Sequence, residues 1–291
     1  MAIPPDALLL PAAVAAAAAA LFGAALVTTH SGLKYLDARS GARVSVPSAT
    51  LLFWLLAPWV DLSGWDAAAA GVFALVGLFF PAAVTLLTFE ANRRLGPNVS
   101  GAIGSTTPLF AVVGAALWLG ESLGAGALAA TAMIVLGTVV LARPRGDARE
   151  PHARGAMWLP WTAAALRALA HVLSKAGLAL WPNPFAAALL GYTVSSAVVW
   201  AVPRGREPRP YTGRGIAWFV ATGVLNGAAV LALYSALERG PVVLVSPIAA
   251  TYPLFTLAFS AIWLREERLG GALIAGMALT VTGVIVLLLT R

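Results

Sequence analysis

The chain is 291 residues long, and 60% of them are hydrophobic while only 11% are charged, against roughly 25% charged in a soluble globular protein. That excludes a soluble fold, whose interior cannot bury so much apolar sequence. The formal net charge of +7 rests on arginines in short segments between apolar runs, a membrane pattern rather than a nucleic-acid footprint, and the absence of cysteine excludes disulfides and thiolate metal sites.

About ten apolar runs come near the ~20 residues that cross a ~30 Å hydrocarbon core. They lie near 8–30, 45–60, 67–89, 97–119, 123–142, 157–180, 184–202, 215–237, 241–264 and 269–290. In lipid every backbone N–H and C=O must be paired internally, and runs rich in Ala, Leu and Val do this as helices rather than barrel strands. The expected fold is an all-α, polytopic bundle of ten transmembrane helices.

The first run has no Lys or Arg before Lys34 and exceeds the apolar core of a signal peptide, so it reads as a retained helix. It ends in HSGLK, with His30 and Lys34 one turn apart. The third closes in LLTFEANRRLGP, where Glu90 is the one carboxylate with a claim to depth. Arg93 and Arg94 follow it at helical spacing, which predicts a local ion pair, with a gate as the alternative. In the fourth, GSTTPLF places Ser105, Thr106 and Thr107 before Pro108. A proline there removes a mid-helix hydrogen bond and frees carbonyls, so the segment reads as a kink or hinge with a polar patch at membrane depth.

The sixth run, WTAAALRALAHVLSKAGLAL, carries Arg167, His171 and Lys175 at spacing four, on one helical face. Stacked cations without an acid need water, an acidic partner or an anion. Lys34 and Lys175 sit where they either snorkel to the interface or line a cavity, and like Glu90 they are candidates for an ion pair or gate. Arg167, nearer mid-helix, reads as a cavity or buried-pair residue. Tyr192, Asn226, Tyr234 and Ser246 are single polar residues in apolar helices, each a ligand contact or a helix-to-helix bond. The ninth run repeats the proline motif as AATYPLF, with Thr251, Tyr252 and Pro253.

The repetition is chain-wide. PLFAVVGAALWLGE from Pro108 to Glu121 answers PLFTLAFSAIWLRE from Pro253 to Glu266, Gly96-Pro97 answers Gly240-Pro241, and HSGLK answers HVLSK, at offsets of 145, 144 and 141. The chain therefore reads as a first repeat over 1–146, a polar loop over 147–156 and a second repeat over 157–291. Five helices per repeat is an odd number, so the copies face opposite ways, related by an axis in the membrane plane. A carrier with alternating access has a use for that symmetry; an enzyme has little.

Ten helices in a five-plus-five duplication, Gly-Pro opening the fourth and ninth, a proline near their middles and an acidic residue closing them resemble the EamA-type members of the drug/metabolite transporter superfamily. The resemblance covers the whole chain and is strongest over 96–141 and 240–287. It implies a bacterial inner-membrane exporter or exchanger of small metabolites, with a cavity lined by the first, third, fourth, sixth, eighth and ninth helices. Fifteen of the nineteen basic residues lie after odd-numbered helices, which places both termini outside the cytoplasm. Family members usually have both inside, and the sequence departs from them there.

The expected function is alternating-access export of a small polar metabolite, best matched by neutral or aromatic amino acids. Arg167, His171 and His30 would meet the carboxylate, and Ser105, Thr106, Thr107, Asn226, Tyr234, Thr251 and Tyr252 would complete the cavity. Exchange of phosphorylated or nucleotide-linked metabolites and export of cationic drugs are the alternatives; the second would want a cavity carboxylate, and the first helix has none. No motif calls for a cofactor, a metal or catalysis. The expected partners are a small-molecule substrate and the lipid bilayer, with no nucleic acid.

Overall fold

A computed structural model describes residues 5–141, 155–203, 209–263 and 271–290, and every regular element among them is helical. The helices are α1 (Pro5–Gly32), α2 (Ala38–Leu56), α3 (Ala67–Phe79), α4 (Ala82–Gly104), α5 (Thr107–Leu119), α6 (Ala125–Leu141), α7 (Trp158–Leu180), α8 (Pro184–Ala201), α9 (Gly213–Arg239), α10 (Val242–Ala249), α11 (Tyr252–Trp263) and α12 (Gly271–Leu289). The segment 142–154, with most of the expected inter-repeat loop, lies outside the described residues, as do Arg204, Arg206, Arg265, Glu266, Arg268 and Arg291.

Seven segments among the described residues are long and apolar enough to cross a membrane, and α5 and α6 are shorter apolar helices. With α2, they account for the ten expected runs. Polar residues open several of them at the interface. Asp37 accepts from the Arg39 and Ser40 N–H groups ahead of α2, Asp66 from Ala69 ahead of α3, Asn183 from Ala186 ahead of α8, and Thr212 from Gly215 ahead of α9. Each satisfies N–H groups that a helix start leaves unpaired.

The second helix starts at Ala38, not near 45, so Arg39 and Arg43 ride in its first turns instead of a loop. Arg43 has a use there: its guanidinium donates to the carbonyls of Val199, Trp200 and Val202 at 3.3, 3.0 and 2.6 Å, closing the C-terminal end of α8. The third span breaks at Phe80–Pro81 between α3 and α4, which the sequence reading takes as continuous.

Helical hydrogen bonding continues along α4 past the third span, but the chain reverses within it. Arg167 reaches the Thr88 hydroxyl, and a Cβ on Gly104 would stand 3.7 Å from the same guanidinium. On a straight helix those positions would be ~24 Å apart. The reversal separates the third span from the fourth.

Pro108 and Pro253 do not sit mid-helix. The fourth and ninth spans are interrupted at Ser105–Thr106 and Ala250–Thr251, and each proline occupies the first turn of the helix that follows, α5 or α11. There the missing N–H is one the helix would not pair anyway. The carbonyls at each break are taken up locally. Thr106 and Thr107 donate to Ile103 and Gly104 at 2.6 and 2.7 Å, and Thr251 donates to Ile248 at 2.7 Å.

The repeats interlock. α1 packs along α9, α2 against α8, α3 and α4 against α7, and α6 against α12. Hydroxyls tie the packed helices: Thr28 to Thr222 at 2.8 Å, Thr50 to Ser196 at 2.7 Å, and Ser195 to the Gly77 carbonyl at 2.6 Å. The α6–α12 contact is close enough to need glycine. A Cβ on Gly137 would lie 2.7 Å from the Thr280 nitrogen, and one on Gly283 would lie 2.9 Å from the Ile134 nitrogen. Tyr192, Tyr234, Phe53, Phe73 and Phe219 fill the interior, while Leu51, Trp59, Leu117, Ile262 and Leu289 face outward where lipid would meet them.

Candidate binding cavity

A cavity of about 100 Å³ lies between the repeats, several times the ~10–15 Å³ a single water needs. Its walls are Phe22, Ala25, Leu26 and Thr29 of α1; Phe80 and Pro81 at the α3–α4 break; Val84, Thr85, Thr88, Phe89 and Gly104 of α4; Thr107 of α5; Arg167 and His171 of α7; Tyr192 of α8; Asn226 and Val230 of α9; and Ser246, Ala249, Ala250 and Tyr252 around the break in the ninth span. Among the described residues no Asp or Glu lines it, and Arg167 is its one Lys or Arg.

Its polar groups are under-used by the protein. Arg167 makes one long bond, 3.5 Å to the Thr88 hydroxyl, and no carboxylate lies within ion-pairing distance of it among the described residues. His171 is 3% exposed; its Nδ1 meets the Ser246 hydroxyl at 3.0 Å, and its Nε2 has no partner. The buried Tyr192 hydroxyl is also unpartnered among the described residues. A buried polar atom without a partner costs ~1–3 kcal/mol, so two in one cavity mark a place built to be completed by something else. Phe22, Phe80, Phe89 and Val230 supply apolar wall beside them.

The expected site residues divide sharply. Arg167, His171, Thr107, Asn226 and Tyr252 line this cavity together. Ser105, Thr106 and Thr251 are buried at the helix breaks and do not line it, and both threonines bond their own turn. Tyr234 is buried in the core away from the cavity. His30 and Lys34 are exposed outside it.

Lys175 parts company with its face-mates on α7. Its ammonium donates to the Leu237 and Gly240 carbonyls at 2.6 and 3.0 Å, at the end of α9, and it is not among the residues that line the cavity. Glu90 pairs with Arg93 at 2.6 Å and with Arg94 at 2.5 Å on the surface of α4, also away from the cavity.

Thr29, Thr85, Thr88 and the phenylalanines went unseen because a threonine or phenylalanine in an apolar run carries no periodic signal. The repeat held one available clue. Leu26 is the counterpart of Arg167, and Thr107 of Tyr252, at the offsets read from the sequence, and both members of each pair line the cavity.

The sequence profile of a family described as the EamA-like transporter family matches residues 8–143 and again 154–289. No curated protein matches the chain. A protein of known crystal structure superposes with a TM-score of 0.79 over 96% of this chain and 96% of its own, at 19% identity. At that identity the likeness concerns the fold alone.

Proposed function

The chain belongs to the EamA-like transporter family, and from that premise we propose that it is an alternating-access carrier exporting small neutral or aromatic amino acids across a bacterial inner membrane. The observation that carries the reading is the charge set of the cavity among the described residues: one arginine, no carboxylate, and neutral polar groups beside aromatic wall. Arg167 offers an anion the one full positive charge among the described lining residues. His171 Nε2, the Asn226 carboxamide and the Tyr192 and Tyr252 hydroxyls are placed to complete the polar head, and Phe22, Phe80 and Phe89 to take an apolar side chain.

The same set speaks against the other cargoes. A phosphate group wants two or more converging cationic side chains, and Lys175 is committed to α9. A lipophilic cation wants an acid, and none lines the cavity among the described residues.

The cavity lies toward the Lys34 end of the bundle. On α1 its wall starts at Phe22 and reaches Thr29, whereas Pro11 packs by Gly240 at the other end. Positive-inside placement makes the Lys34 end cytoplasmic, so the cavity lies nearer the compartment an exporter loads from. Counterflow in proteoliposomes from a mixture of amino acids, nucleotide sugars and quaternary amines, with and without a pH gradient, tests the proposal. Movement of neutral or aromatic amino acids supports it; movement of nucleotide sugars or amines in their place rejects it.

A further inference from the structure

Two charged side chains that the cavity does not use meet at the opposite end of the bundle. α9 ends at Arg239, Gly240 is extended at φ −133° and ψ 162°, and α10 begins after Pro241. Lys175 caps one side of that junction, donating to the Leu237 and Gly240 carbonyls with the Glu238 carbonyl at 3.4 Å. Glu121 caps the other: its two carboxylate oxygens accept from the Val242 and Val243 N–H groups at 2.8 and 2.9 Å.

A cation on the carbonyl end of one helix and an anion on the N–H end of the next is the pairing that helix dipoles favour, through charge-assisted bonds. Glu121 comes from the connection between α5 and α6 in the first repeat and holds α10 of the second. The bond therefore crosses between the two bodies that must part for this end to open.

The inverted symmetry supplies the comparison. The counterpart of Lys175 is Lys34, of Gly240-Pro241 is Gly96-Pro97, and of Glu121 is Glu266, which lies outside the described residues. The breaks beside Pro108 and Pro253 are alike in both repeats, with Thr106 and Thr251 bonding equivalent carbonyls. The lysines are not alike. Lys175 is partly buried and makes its bonds to the α9 terminus, whereas Lys34 is exposed and makes none among the described residues.

We propose that Glu121 and Lys175 form a latch that holds the bundle shut at the α9–α10 junction, and that the opposite-facing state releases it. The latch rests on the alternating-access reading but not on the identity of the cargo.

The chain has no cysteine, so Thr85→Cys puts a single thiol on the cavity wall. Its labelling by a membrane-impermeant maleimide, applied from either face of vesicles of known orientation, reports which end is open without any substrate. The parent should label quickly from the Lys34 face and slowly from the Glu121 face. Adding Glu121→Gln and Lys175→Gln together should raise labelling from the Glu121 face at least ~10-fold, the reading of a population shift, and Lys34→Gln alone should not raise it.

An unchanged rate from the Glu121 face, in protein that still labels from the Lys34 face, overturns the latch. If the double variant fails to insert, Glu121→Gln alone is read by the same criterion, because it keeps one acceptor oxygen at the junction and loses the charge and one of the two N–H bonds. A chain that moves no amino acid but shifts its labelling keeps the latch and loses the cargo; one that moves amino acids with unshifted labelling does the reverse.

Discussion

Arg167 and His171 stand one turn apart on α7 and open onto the same cavity, the guanidinium held by a 3.5 Å contact to Thr88 and the imidazole by a 3.0 Å contact to Ser246. Thr88 belongs to the first repeat and Ser246 to the second, so the two polar residues are steadied from both sides of the chamber. Neither is neutralised by a protein carboxylate among the described residues. An arginine left so lightly engaged is free to pair with an anion. Arg167→Gln should therefore weaken binding of a carboxylate-bearing substrate by about 10- to 100-fold, the loss of a charged hydrogen bond. Arg167→Lys keeps the charge without the two-pronged geometry and should fall between. Titration calorimetry on purified protein measures both.

Ser246→Ala removes the one partner that fixes the His171 ring. The loss of a neutral hydrogen bond is about 1 kcal/mol, so substrate affinity should drop roughly 5-fold while the melting temperature changes little. A large fall in melting temperature with unchanged affinity would assign Ser246 to packing alone.

The α6–α12 contact should be intolerant of bulk. Gly137→Leu or Gly283→Leu forces side-chain atoms into the Thr280 or Ile134 backbone, and overpacking of this kind costs about 1–3 kcal/mol or more. Both variants should unfold in detergent at lower temperature than the parent. The protein that remains folded should bind substrate normally, because neither residue lines the cavity.

Asp37, in the connection between α1 and α2, carries a pH dependence of definite sign. Partial burial pushes its carboxyl up, but the Ser40 N–H and hydroxyl and the Arg209 N–H outweigh that and hold it below the usual carboxylate range. A group lowered in the folded state contributes stability above its unfolded value and loses it as pH falls through the folded value. Melting followed from about pH 7 to about pH 3 should show a decline at the acid end that is shallower in Asp37→Asn.

The ten-span plan and the duplication were legible because apolar length and a repeated Pro-Leu-Phe phrase survive in one dimension. Arg167 was legible for a related reason: a cation inside an apolar run needs an explanation. Lys175 was not. Its spacing from His171 is the same as that of His171 from Arg167, and only the position of the α9 terminus in space turns it from a wall residue into a cap. The threonines before Pro108 and Pro253 look like free polar groups in sequence. Once the helices break, the nearest acceptors are carbonyls three residues back, and Thr106 and Thr251 bond there instead of facing the chamber.

The central claim, that this cavity moves a carboxylate held by Arg167, is tested most directly by counterflow of a labelled aromatic amino acid into preloaded proteoliposomes, comparing the parent with Arg167→Gln. The account expects the parent to accumulate label transiently and the variant to fall at least ~10-fold. Counterflow in the variant equal to the parent's, or none in a well-folded parent, would contradict it.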